Sequence, residues 1–157
     1  MKEWILFDAD NTLFDFTKSA EFAFTRTLER YGIVQEEHHL ETYETINSKC
    51  WKQFENNEIS AIELRKKRFE LFFKELDRSH NPLEANAFYL HSLSQTTFLI
   101  DGAIELLTHI QQEKYKMVII TNGLKEVQRP RIQNANLTHY FEEIIVSDEI
   151  GHAKPHT

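Results

Sequence analysis

Trp4-Ile5-Leu6-Phe7-Asp8-Ala9-Asp10-Asn11-Thr12-Leu13-Phe14-Asp15 decides the fold. Four apolar residues run without alternation and then give way to three carboxylates within eight residues. An apolar run that does not alternate suits a parallel strand covered on both faces. Acids gathered at the carboxyl end of such a strand repel one another, and open α/β sheets bind ligands along that edge. A polar turn whose acids are merely solvated is the bland alternative, but a loop seldom collects three carboxylates there without a cation. Asp8 has the chemistry to attack phosphorus as a carboxylate nucleophile. Asp10 can protonate a leaving oxygen and later take a proton from water. The cation that suits such oxygen ligands, and screens the acids from a phosphate, is Mg²⁺.

Working outward, two more apolar runs stand at Met117–Ile120 and Ile144–Val146. Between them Val127, Arg131 and Ala135 recur at helical spacing, flanked by Leu124 and Ile132. Before them Ile104, Leu107 and Ile110 share a helical face, with Asp101 as the expected N-cap. Strand, helix, strand in this rhythm predicts a βαβ unit, hence an α/β fold with a Rossmann-like parallel sheet.

The segment 16–93 is different. Phe16, Ala20, Phe24, Leu28 and Tyr31 predict one helix stopped by Gly32, and Leu40, Tyr43, Ile46, Cys50 and Phe54 predict a second. Ser60-Ala61-Ile62-Glu63 is a capping box, and Asn81-Pro82-Leu83-Glu84 repeats the device with proline at the first helical position. The expected organisation is therefore an α/β core from 1–15 and 94–157 with an all-helical cap, 16–93, inserted after the first strand.

Composition narrows the classes. The chain has 157 residues, 41% hydrophobic and 27% charged, which describes a globular protein able to bury a core. A net charge of −7 lacks the basic footprint of a nucleic-acid binder, so no nucleic-acid partner is expected. The single cysteine, Cys50, cannot form an internal disulfide, and no run of roughly 18 apolar residues exists to span a bilayer. A cytoplasmic protein with no membrane partner is the expectation. Eight histidines supply no His-Glu-x-x-His and no Cys/His cluster, so zinc is not expected.

Asp8-x-Asp10-x-Thr12 after a first strand resembles the signature of the haloacid-dehalogenase-like hydrolases. Ile119-Ile120-Thr121-Asn122-Gly123 looks like that family's second motif, and Ser147 through Pro155, with Lys154, looks like its third. The resemblance implies catalytic roles for Asp8, Asp10, Thr121 and Lys154. Thr121, the Asn122 amide and Lys154 would bind the phosphoryl group, and Asp8 with the Asp10 main-chain carbonyl would ligate Mg²⁺. Asp10 is typical of the phosphoryl-transfer members. Asn11 replaces the glycine commonest at its place, and asparagine tolerates a left-handed conformation well. Ile5 through Phe14 with an aromatic helical cap looks like the pyrimidine 5′-nucleotidase type, so the implied substrate is a small phosphorylated metabolite, a nucleoside 5′-monophosphate first. A sugar-phosphate phosphatase or a phosphoglucomutase-type transferase is the rival within the family. A truncated, inactive fragment or non-catalytic interaction module is the rival outside it.

The family pattern continues beyond this chain with a strand beside the first one and a further metal-binding acid. The expectation is a fragment whose first strand is an exposed apolar edge, prone to self-association. Among the remaining features, Arg65-Lys66-Lys67-Arg68 reads as a solvated helical face, and the aromatic stripes containing Phe16, Phe22, Tyr43, Trp51 and Phe54 read as core before base-stacking surface. Taken alone, Asn122-Gly123 reads as a turn after a strand.

Overall fold

The three apolar runs become the three strands of one parallel sheet. A computed structural model describes residues 3–152 and 154. In it β1 (Trp4–Phe7), β2 (Lys116–Thr121) and β3 (Glu143–Val146) lie in the order β1-β2-β3. Phe7 stands opposite Ile119, and Thr121 opposite Val146. Parallel pairing sends every strand's carboxyl end to the same edge, which places Asp8, Thr121 and Ser147 there together. Parallel strands also need long crossovers. Between β1 and β2 run α1 (Phe16–Arg30), α2 (Glu37–Glu55), α3 (Ala61–Glu75), α4 (Pro82–Ser94) and α5 (Ala103–Gln112). Between β2 and β3 run α6 (Lys125–Asn134) and a short 3-10 turn, and the one-turn α7 (Ser147–Ile150) follows β3.

The chain divides into two units, Met1–Phe22 with Leu93–Thr157, and Ala23–Ser92, so the divisions fall inside α1 and α4. In the first unit Phe7, Leu13, Phe14, Leu107, Met117 and Ile119 share a buried cluster. Each such large apolar side chain contributes about 1.5–3 kcal/mol by leaving water. The middle strand matches its unalternating sequence, with Met117, Val118 and Ile119 all buried. β1 does not: its exposure alternates, with Trp4 53% and Leu6 64% exposed on one face, and β2 is the only strand beside it among the described residues. The Lys116 ammonium, from the cross-strand partner on β2, lies 4.7 Å from the Trp4 ring centroid and covers part of that exposed face.

The second unit is helical around an aromatic core. Phe24 stacks on Tyr43 at 4.8 Å and meets Phe72 edge-on at 5.2 Å. Tyr43 is buried, so the α2 stripe at that residue is packing. Burial also pushes the Tyr43 hydroxyl well above its ordinary pKa and keeps it neutral. Arg68 corrects the reading of its basic run as a solvated face. Its guanidinium is buried, donates to Asn86 Oδ1 (2.9 Å from Nε) and Asn47 Oδ1 (3.2 Å), and lies 5.1 Å from the Tyr89 ring centroid.

Local signals set most helix starts. At α3 the Ser60 hydroxyl accepts from the Glu63 amide while Glu63 Oε2 accepts from the Ser60 amide at 2.7 Å. At α4 Asn81 Oδ1 accepts from the amides of Leu83 and Glu84. Asp101 is not the cap of α5. Gly102 holds that place at φ 82, with no side-chain cap, because the chain enters the helix through a left-handed residue. No helix among the described residues is long and apolar enough to cross a membrane.

Candidate active site

The turn after β1 is closed by its own backbone. The amides of Leu13 and Phe14 both donate to the Ala9 carbonyl, and the Asn11 amide donates to the Phe14 carbonyl. Asn11 takes φ 57, the left-handed conformation that its side chain tolerates. Ala9, Leu13 and Phe14 are wholly buried and anchor the turn. Alternation then leaves Asp8 and Asp10 as the polar residues of the strand end, with side chains 47% and 27% exposed.

Lys154 reaches this turn from beyond α7. Its Nζ lies 3.0 Å from Asp8 Oδ1 and donates to the Ile120 carbonyl at 2.8 Å. Asn122 holds the lysine in place through its side chain. Asn122 Oδ1 accepts from the Lys154 amide at 2.7 Å, and Nδ2 donates to the Lys154 carbonyl at 3.1 Å. The structure thus brings Asp8, Lys154 and Asn122 together at the ends of β1 and β2, with Thr121 buried beside them. Ala153 and Pro155, which flank the lysine in the third motif, lie outside the described residues.

Asp10 has partners that the sequence reading missed. Arg131 Nη1 lies 2.6 Å from Asp10 Oδ1, and Gln128 Nε2 donates to Asp10 Oδ2 at 2.6 Å. Both come from α6. Arg131 is fully buried, donates from Nη2 to Ser19 Oγ at 3.1 Å, and sits 4.4 Å from the Phe14 ring centroid. Two donors on opposite oxygens fix the plane of the Asp10 carboxylate, and a second lone pair on each oxygen is left for proton transfer. Asp8 and Asp10 therefore differ in kind: one is open and faces a lysine, the other is clamped. The start of α6 is itself held by α7, where Asp148 Oδ2 accepts from the Lys125 amide at 3.2 Å. Arg129 pairs with Glu149 at 2.6 Å, and this hydrogen bond holds the Glu149 carboxyl below its usual range.

The donor set fits a hard divalent cation. A carboxylate at Asp8 and a main-chain carbonyl two residues on offer oxygen only, few protein ligands and room for water, as Mg²⁺ prefers. The turn's backbone bonds run to the carbonyls of Ala9 and Phe14, not to that of Asp10. A second constellation, Glu36, His38 and His39, has ligand atoms within 4.8 Å of one another. Its geometry is that of a helix start: the His39 Nδ1 accepts from the Glu36 amide at 3.1 Å and completes a capping box at α2.

The carboxyl edge of this parallel sheet carries an open aspartate paired with a lysine and, beside it, a second, clamped aspartate. A family model of haloacid dehalogenase-like hydrolases matches residues 5–157, and the chain belongs to that family. Pyrimidine 5′-nucleotidase YjjG of Escherichia coli is 30% identical over 98% of this chain and 66% of its own length. Pyrimidine 5′-nucleotidase PynA of Streptococcus pneumoniae is 28% identical over 98% of this chain and 65% of its own. The chain thus spans about two-thirds of the length of these relatives. The crystal structure of the HAD-hydrolase YfnB from Bacillus subtilis, bound to magnesium, matches with a TM-score of 0.92 and 30% identity, over 99% of this chain and 68% of that one.

Proposed function

We propose that the whole protein is a Mg²⁺-dependent phosphoric monoester hydrolase that acts on nucleoside 5′-monophosphates through an aspartyl-phosphate at Asp8. The observation that carries this reading is the ion pair between Asp8 and Lys154, 3.0 Å apart, beside the buried Thr121 hydroxyl. An anionic carboxylate attacks an anionic phosphate only where positive charge offsets their repulsion, and Lys154 supplies it. Asp8 forms a bond to phosphorus, the ester oxygen departs with the bonding pair, and Asp10 gives that oxygen a proton. Water then attacks the same phosphorus, Asp10 takes back a proton, and phosphate leaves with Asp8 restored. Thr121 and Lys154 hold the phosphoryl oxygens through both halves, with the Asn122 amide beside them. Mg²⁺, held by the Asp8 carboxylate and the Asp10 main-chain carbonyl, would neutralise charge between phosphate and carboxylates.

Substrate choice falls, in this reading, to the helical unit Ala23–Ser92, which serves as the cap, while the phosphoryl chemistry stays with the α/β unit. The test is Asp8→Asn in the full-length protein, assayed on a panel of nucleotides and sugar phosphates with Mg²⁺. An amide is a poor nucleophile, so turnover should drop by at least ~10³-fold with the fold unchanged. Near wild-type hydrolysis by the variant contradicts the mechanism. Preference for a sugar phosphate over every nucleotide contradicts the substrate.

A further inference from the structure

Gln128 is a buried amide that the mechanism above does not use. Its Nε2 donates both to Asp10 Oδ2 at 2.6 Å and to Thr121 Oγ1 at 3.1 Å. Its Oε1 accepts from Arg131 Nη1 at 3.2 Å, and an arginine can only donate, so the two ends of the amide are fixed. Thr121 Oγ1 also accepts from the Gly123 amide at 3.2 Å. Both acceptor positions of that hydroxyl are thereby filled, and what Thr121 has left to offer a phosphoryl oxygen is its hydrogen.

Gly123 completes the arrangement for a reason other than turn geometry. The glycines with left-handed backbones are Gly32, Gly102 and Gly151, and Gly123 is not among them. A Cβ at position 123 would instead lie 2.6 Å from Gln128 Cγ and 2.8 Å from Gln128 Cδ, inside any real contact distance. The Gln128 side chain fills the volume that any larger residue would need.

We propose that Gln128 is a positioning residue that couples Asp10 to Thr121, and that position 123 is glycine to give it room. The inference rests on the roles assigned to Asp10 and Thr121 under Proposed function. It makes Gly123→Ala act through Gln128: the added methyl displaces the amide from both partners. A misplaced Asp10 harms substrates whose leaving oxygen needs a proton, and spares those whose leaving group departs as a stable anion.

The experiment compares kcat/KM of the full-length protein, Gln128→Leu, Gly123→Ala and the double variant on a nucleoside 5′-monophosphate and on p-nitrophenyl phosphate. Each single variant should lose at least ~10-fold more on the nucleotide than on the aryl ester. The double variant should be no worse than the poorer single one, as expected for two changes acting through one group. Equal losses on the two substrates, or multiplying losses in the double variant, overturn the proposal. An independent readout is the Gln128 side-chain amide in the NMR spectrum of ¹⁵N-labelled protein. Its protons should resist solvent exchange in the wild type and lose that protection in Gly123→Ala and Asp10→Asn. Unaltered protection in Gly123→Ala overturns the coupling. A wild-type protein that hydrolyses neither ester contradicts the proposed function, and the amide protection then decides the coupling by itself.

Discussion

Arg131 Nη1 meets Asp10 Oδ1 at 2.6 Å across 121 residues of sequence, with the arginine wholly buried and the aspartate about a quarter exposed. A guanidinium leaves water at a cost of several kcal/mol, which its partner and hydrogen bonds must offset. Here the partners are the Asp10 carboxylate, the Ser19 hydroxyl, the Gln128 carbonyl oxygen and the Phe14 ring face. The ion pair ties α6 to the turn that carries both aspartates, so one contact joins fold stability to site geometry.

Arg131→Met should therefore destabilise the protein by about 3 kcal/mol, at the low end of the range for breaking a buried pair because Asp10 keeps some water. Urea denaturation followed by circular dichroism measures it. Unchanged stability would mean that the solvated edge of Asp10 already meets its needs.

The acid limb of stability carries a mark from α3. The Glu63 carboxyl is held below the usual glutamate range, first by the Ser60 backbone amide. A lowered folded-state pKa contributes stability that is fully present above the ordinary glutamate value and is lost as pH falls through the lowered one. Wild type should thus exceed Glu63→Gln in thermal stability near neutral pH, with the gap closing below the ordinary glutamate pKa. A gap that stays constant down to strongly acidic pH contradicts the capping-box assignment.

The exposed edge of β1 should govern association. Trp4 and Leu6 expose one apolar face of β1, and the strand has no described neighbour along its open edge. Leu6→Lys places a charge on that edge, a common device against edge-to-edge pairing. Sedimentation of the 157-residue chain should show self-association that Leu6→Lys reduces. Association unaffected by Leu6→Lys would locate the contact elsewhere.

Substrate discrimination should follow the helical unit. Trp51 is half-buried on α2, where Tyr43 and Phe24 are core. Trp51→Ala should change the preference between nucleotides more than it changes p-nitrophenyl phosphate hydrolysis. Equal losses on both would show that the side chain is packing alone.

The strands were legible because each is an unbroken apolar run, and the helix starts at Ser60 and Asn81 because a cap is written within four residues. Asp8 and Asp10 were legible for the same reason: strand and acids are adjacent in the chain. Thr121, Asn122 and Lys154 required the order of three separated motifs. Gln128, Arg131 and Ser19 were missed because their partners lie far away in sequence, as in the Gln128–Asp10 contact 118 residues apart. A signal existed, since Arg131 falls on the apolar stripe of α6 between Val127 and Ala135, where a cation must find a buried partner. Arg68 carried the same signal inside its basic run. Gly123 had none, because the atoms that exclude a Cβ belong to a side chain on the following helix.

In the proposed reaction phosphorus bonds to Asp8 during turnover. The direct measurement mixes the full-length protein with a nucleoside 5′-monophosphate and Mg²⁺, quenches in acid within milliseconds, and weighs the proteolytic peptides. One phosphoryl group should appear on the peptide containing Asp8 before steady state and vanish when substrate is exhausted. Phosphate released with no peptide ever labelled, or a label on a peptide without Asp8, contradicts the proposed reaction.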